Sequence, residues 1–236
     1  GADIGLAFDG DADRCFVIDE NGDAVTPSAV TALVAQREIA KEVAKGTRAS
    51  DVSVVANLIS SRAVTEVITE NGAKPVRTRV GHSFIKAQMA EHDAVFGGEH
   101  SAHYYFRDFW FADTGMLAAM HVLAALGEQE GTLSQLVAEY ARYEASGEIN
   151  STVSDATAAT GRVREWVASH GEYTEDGMDG VTFVHEGGDG DPMWWLNLRA
   201  SNTEPLLRLN VEAADRATME RVRDAALAAV REGEAQ

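Results

Sequence analysis

Basic residues are scarce in this chain. Twenty Lys and Arg stand against 38 Asp and Glu in 236 residues, a formal net charge of −18. Such a surface repels phosphate backbones, which excludes nonspecific nucleic-acid binding. A small anion is a different case, because salt screens charge beyond about 8–10 Å and the ligand feels mainly the Arg and His gathered at its own pocket. Cysteine is nearly absent: Cys15 stands alone, cannot close an internal disulfide, and reads as a small core residue. No uninterrupted apolar run approaches the roughly 18 residues of a membrane helix. The opening Gly1-Ala2-Asp3 lacks the basic-then-apolar start of a secretory signal. These absences give the expectation of a cytoplasmic protein with no membrane partner. What is present, 45% hydrophobic and 25% charged residues, suits one large or two ordinary globular domains.

Apolar patterning predicts a strand over residues 4–8, an Asp/Gly loop, and a second strand over residues 15–18. Helical spacing follows over residues 28–45, with Val30, Leu33, Val34 and Ile39 on one face. Strands over 52–58, 76–80 and 94–96 then alternate with helices over 63–70 and 83–91, and two further helices are predicted over 114–126 and 133–142. Alternation of this kind implies an α/β fold with a mixed, mostly parallel sheet. The texture changes near Gly147. A helix over 155–169, strands over 181–185, 193–198 and 206–211, and a last helix over 215–231 predict a smaller α+β domain with an antiparallel sheet.

Three loops carry chemistry. In Asp9-Gly10-Asp11-Ala12-Asp13-Arg14 the carboxylates alternate between two apolar strands. Three acids so spaced repel one another unless something cationic compensates. An EF-hand loop is excluded, because Arg14 stands where that loop needs Gly and the flanks read as strands. Oxygen-only ligation by few protein donors suits Mg²⁺. In Gly98-Glu99-His100-Ser101-Ala102-His103, the residues Glu99, Ser101 and His103 alternate and offer an acceptor, a hydroxyl and an imidazole to vicinal sugar hydroxyls. In Arg199-Ala200-Ser201-Asn202-Thr203-Glu204-Pro205, with Arg208 shortly after, two guanidinium groups, two hydroxyls and an amide crowd a turn. Arg presents paired donors that match phosphate oxygens.

These loops, in this order, resemble the metal, sugar and phosphate loops of the α-D-phosphohexomutase superfamily, and the Ser-Asn-Thr-Glu-Pro form of the last resembles its phosphomannomutase/phosphoglucomutase members. The resemblance spans the chain. It implies residues 1–25 as the tail of a second domain, 26–145 as an α/β third domain and 146–236 as a fourth. It further implies Mg²⁺ held by Asp9, Asp11 and Asp13, with Arg14 facing the transferring phosphate and His82 as a proton shuttle. Glu99 and Ser101 would then grip the sugar's 3- and 4-hydroxyls, with His103 also binding the sugar, and Arg199, Ser201, Asn202, Thr203 and Arg208 would hold its non-reacting phosphate. The ligands implied are mannose or glucose 1- and 6-phosphates and a hexose 1,6-bisphosphate. The family's catalytic phosphoserine lies in a Ser-His-Asn-Pro type of motif. Here the one Ser-His pair, Ser169-His170, is followed by Gly171, so the missing N-terminal domains become an expected partner and the chain alone is expected to be inactive. Some relatives carry Lys where this chain reads Leu58-Ile59-Ser60, which leaves the general base open. A non-catalytic sugar-phosphate-binding module and a Mg-dependent phosphatase are the alternatives.

Overall fold

A computed structural model of the chain describes residues 1–201 and 204–233. It divides into two compact units, Gly1–Arg142 and Tyr143–Gln236.

The first unit opens with an antiparallel hairpin of β1 (Gly5–Phe8) and β2 (Cys15–Ile18), extended by β3 (Ala24–Val25). The long helix α1 (Pro27–Ala44) starts where Thr26 accepts the Ala29 amide and Pro27 supplies a preset φ. There follow β4 (Ser53–Asn57), α2 (Arg62–Glu70), β5 (Lys74–Thr78), α3 (His82–His92), β6 (Phe96–Gly98), β7 (Tyr104–Phe106), β8 (Ala112–Asp113), α4 (Gly115–Gly127) and α5 (Leu133–Ala138). The five-stranded sheet runs β5-β4-β6-β7-β8. Pairings β5–β4 and β4–β6 are parallel, while β6–β7 and β7–β8 are antiparallel. The mixed sheet is thus as antiparallel as it is parallel, because β6 ends in a hairpin whose turn is the Glu99–His103 loop. That hairpin and β8 were hidden in the sequence by strands of only two or three residues. The helix predicted over 133–142 stops at Ala138; its start is fixed by a reciprocal capping box between Thr132 and Gln135.

Burial ties the layers together. Val54, Val64, Phe96, Tyr104, Leu33 and Val122 lie in one core that also takes Cys15 and Val17 of the opening hairpin. The predicted core role of Cys15 holds, and burial pushes its thiol up to about 11. Close approach dictates composition at one point in particular: a Cβ on Gly98 would meet the Thr31 side chain at 2.4 Å, so glycine lets α1 pack directly on β6, one residue before the sugar loop.

The second unit contains β9 (Glu144–Ala145), β10 (Ile149–Thr152), α6 (Ala156–Ala168), β11 (Thr174–Asp176), β12 (Val181–His185), β13 (Trp194–Ala200), β14 (Leu206–Ala213) and α7 (Arg216–Arg231). Its sheet, β10-β14-β13-β12-β11 with β9 also paired to β14, is antiparallel throughout. Leu196, Leu198, Leu207, Leu209 and Val211 pack with Val163, Val167, Val222 and Ala226 of the two helices. Alternation puts Trp195, Asn197 and Arg199 on the other face of β13, opposite Glu212, Asn210 and Arg208. Among the described residues no helix is long and apolar enough to cross a membrane.

A buried carboxylate in α1 makes the first unit sensitive to acid. Glu38 is 3% exposed, with His121 Nε2 at 3.1 Å and Lys41 Nζ at 3.0 Å. Burial raises its carboxyl, but those hydrogen bonds and charges outweigh it and hold the group below its ordinary value of 4.5. A depressed folded-state value contributes stability above the unfolded value that is lost as pH falls through the folded one. Thermal midpoints measured from about pH 7 to about pH 3 should therefore fall less steeply in Glu38→Gln than in the parent chain, with Glu38→Gln the less stable at neutral pH.

Candidate functional site

The Asp9–Arg14 loop, the candidate metal loop, is the turn of the β1–β2 hairpin. Ala12 takes a left-handed φ of 60°, and its amide donates to Asp9 O at 3.2 Å, which brings Asp9, Asp11 and Asp13 to one side. Carboxylate oxygens from all three lie within 4.8 Å of one another. Arg14 steadies one of them: its amide donates to Asp9 Oδ1 at 3.2 Å and its Nε to Asp9 Oδ2 at 2.7 Å. The acidities of Asp9 and Asp13 move in opposite directions. The hydrogen bond from Arg14 holds Asp9 down at about 2, whereas burial, partly offset by His103 and reinforced by Asp11 and Asp9, raises Asp13. Asp13 Oδ1 is buried and accepts no hydrogen bond. Three clustered carboxylates with an unsatisfied oxygen fit a hard divalent cation.

Backbone bonds join this loop to the sugar loop. Arg14 and His103 form an antiparallel bridge, and the Cys15 amide donates to Ala102 O at 3.3 Å. A third support comes from α4, whose Gly115 amide donates to Ala12 O at 3.2 Å. Here too glycine is required, since a Cβ would stand 2.6 Å from the Arg14 carbonyl oxygen.

Within the sugar loop, Ser101 Oγ and His103 Nδ1 are 2.9 Å apart, and His103 Nε2 lies 3.6 Å from Asp13 Oδ2. The expected convergence of Glu99, Ser101 and His103 is met by these two. Glu99 instead turns inward, where Tyr105 donates to its Oε1 at 2.6 Å and Asn57 to its Oε2 at 3.4 Å. Sequence reasoning missed both partners. Tyr105 was within reach of it, being two residues beyond His103 on the same strand face. Asp113, with a carboxylate oxygen within 4.8 Å of ligand atoms of Asp13 and His103, arrives from β8 and left no local signal. His82 is exposed, the first residue of α3 after Gly81.

In the second unit Arg199 and Arg208 sit directly opposite one another on β13 and β14. Like charges so placed repel. Glu148, not singled out from sequence, offsets one of them: Arg208 Nη1 donates to its Oε1 at 3.1 Å and Arg199 Nη2 to its Oε2 at 3.5 Å. Two cations and one anion leave a net positive charge, and both Nε groups are buried without a hydrogen-bond acceptor. The arrangement is suited to a phosphate, which accepts paired guanidinium donors. The Ser201 amide donates to Leu206 O at 2.8 Å and closes the turn; Asn202 and Thr203 lie outside the described residues.

If Gly115 sets the metal loop, Gly115→Ala should cost about 1–3 kcal/mol through overpacking against backbone. It should also weaken Mg²⁺ binding, measured by calorimetry, although no carboxylate is changed. Unaltered affinity in a folded Gly115→Ala would show that the contact does not shape the loop.

The family model for the α/β/α domain III of phosphoglucomutase/phosphomannomutase matches residues 26–143, and that for its C-terminal domain matches residues 148–229. A phosphomannomutase from Methanocaldococcus jannaschii is 39% identical over 217 residues, covering 92% of this chain and 45% of that protein. A protein described as phosphohexose mutases from Xanthomonas campestris is 40% identical over 215 residues, covering 90% and 44%. The chain thus spans less than half the length of these relatives. Among solved structures, a phosphoglucomutase/phosphomannomutase family protein from Burkholderia thailandensis superposes with a TM-score of 0.78 at 25% identity, covering 98% of this chain and 48% of that one. Matches to both family domains, in order and across most of its length, make this chain a member of the phosphoglucomutase/phosphomannomutase family within the phosphohexomutase superfamily.

Proposed function

We propose that these residues are the metal-, sugar- and phosphate-binding portion of a phosphohexomutase that moves a phosphoryl group reversibly between the 1- and 6-positions of mannose or glucose phosphate. The observation that carries this reading is the backbone junction between the metal and sugar loops, where the Arg14–His103 bridge and the Cys15–Ala102 hydrogen bond hold three carboxylates beside a hydroxyl–imidazole pair.

Asp9, Asp11 and Asp13 are the residues that would hold Mg²⁺, which when bound neutralises charge on the phosphoryl oxygens. Arg14 adds a fixed cation beside them. Ser101 and His103 bind sugar hydroxyls and Glu99 accepts from them, while His82 is the proposed carrier of a proton to or from the reacting hydroxyl. Arg199, Ser201, Asn202, Thr203 and Arg208 hold the phosphate that is not transferred. Phosphoryl transfer asks the protein for positioning and charge compensation more than for covalent chemistry. The covalent partner is a phosphoserine on polypeptide outside these residues. It gives its phosphoryl group to the free sugar hydroxyl, and the resulting hexose 1,6-bisphosphate returns the other one after reorienting.

Two measurements test the reading. Arg208→Lys keeps the charge but loses the planar paired donors, so hexose-phosphate affinity should fall about tenfold, equally for 1- and 6-phosphates. A loss for only one of them would sink the idea of one clamp for both orientations. Separately, this chain should bind glucose 1-phosphate yet form no 6-phosphate from glucose or mannose 1-phosphate in the presence of a bisphosphate activator. An upstream-extended chain with its phosphoserine should form it. Turnover by these residues alone would place the phosphoryl carrier among them, and release of free phosphate would favour a phosphatase.

A further inference from the structure

Glu99 is the centre of a chain of hydrogen bonds that runs between two loops. Tyr105 Oη donates to its Oε1 at 2.6 Å, Asn57 Nδ2 donates to its Oε2 at 3.4 Å, and Ser60 Oγ donates to Asn57 Oδ1 at 2.9 Å. All four side chains are buried. Asn57 is the last residue of β4 and Ser60 lies in the loop after it, while Tyr105 comes from β7, across the hairpin. We propose that Tyr105 is a positioning residue that fixes the aim of the Glu99 carboxylate, with Asn57 and Ser60 bracing it from the other side, and that this fixed aim sets which sugar epimer the loop accepts. The proposal rests on the reading of Glu99 as a sugar ligand.

The physical case is one of counting and constraint. An ionised carboxylate has about four lone-pair sites; Tyr105 and Asn57 occupy two, one on each oxygen, which leaves acceptor capacity on both. Glu99 is only 3% exposed, so it cannot swing toward a ligand without abandoning Tyr105. Burial first, and then the neighbouring Glu99 charge, raise the Tyr105 hydroxyl well above its ordinary value, so it remains a donor. The Tyr105 ring is itself held, stacked on His103 with centroids 6.4 Å apart and with the Lys86 ammonium 5.6 Å from its own. Lys86 is fixed in turn by Asp113 at 3.0 Å. An acceptor pinned in this way rewards a hydroxyl at one stereochemical position and leaves the epimer's hydroxyl unpaired. A free acceptor would follow either.

The test compares glucose 1-phosphate with its C4 epimer galactose 1-phosphate, by NMR titration of amide shifts in this chain and in Tyr105→Phe, Ser60→Ala and Glu99→Gln. The parent chain is expected to prefer the glucose ester. Tyr105→Phe should reduce that preference about tenfold by weakening the glucose ester alone, and Ser60→Ala, at the far end of the bond chain, should move it the same way by less. Ligand-free amide shifts away from the substitution should stay dispersed, as they would not in a merely unfolded variant. If Tyr105→Phe fails to fold, Ser60→Ala decides the question. Preference unchanged in the folded variants of Tyr105 and Ser60 but lost in Glu99→Gln overturns the proposal and leaves the reading of Glu99 standing. Preference kept in Glu99→Gln, or absent from the parent, removes Glu99 from sugar recognition and the proposal with it.

Discussion

Repulsion between like charges is the constraint on which both candidate sites depend. The fold crowds three carboxylates into one hairpin turn and sets two arginines face to face across neighbouring strands. Neither arrangement is favourable by itself, and each is only partly relieved from within, by Arg14 in the first case and Glu148 in the second. Strain of this kind is stable only because the surrounding structure is over-determined. The acidic turn is bonded to the sugar loop and to the start of α4, and the arginines ride on the two strands at the middle of an antiparallel sheet.

Much of this was legible in the sequence because it is written in local patterns. Helical spacing over residues 28–45 announces α1, the apolar stretch over 52–58 announces a strand, and alternating aspartates announce convergence. What escaped was non-local. Glu99 alternates with Ser101 and His103 and so suggested a shared face, yet its carboxylate is held apart from theirs because Tyr105 and Asn57, six residues downstream and 42 upstream, each donate to one of its oxygens. Glu148 comes from 51 and 60 residues before the arginines it joins, and no spacing rule connects such positions. Strands as short as β3, β8 and β9, of two residues each, have no period to detect; they exist because a neighbouring strand offers them a ladder.

The two units also solve different problems of recognition. In the first, the candidate ligand groups are acceptors and hydroxyls whose positions are set by packing, down to a glycine that lets a helix touch a strand. In the second, side-chain bonds brace the polar face of the sheet, with Trp195 donating to Glu212 at 2.8 Å and Asn197 to Thr182 at 2.9 Å along the strand that carries Arg199. The carboxylate cluster and the arginine pair are thereby carried by separate units, each with its own core.

Glu148 has a consequence for timing. If the two arginines hold a phosphate as proposed, a carboxylate already resting between Arg199 and Arg208 is an internal competitor, so an arriving phosphate would trade places with it and a departing one would be replaced by it. The trade lowers the affinity that two bare guanidinium groups would give and shortens the residence time of the anion. For the proposed transfer, whose intermediate would let go of one phosphate and present the other, a grip that loosens readily is worth more than a tight one.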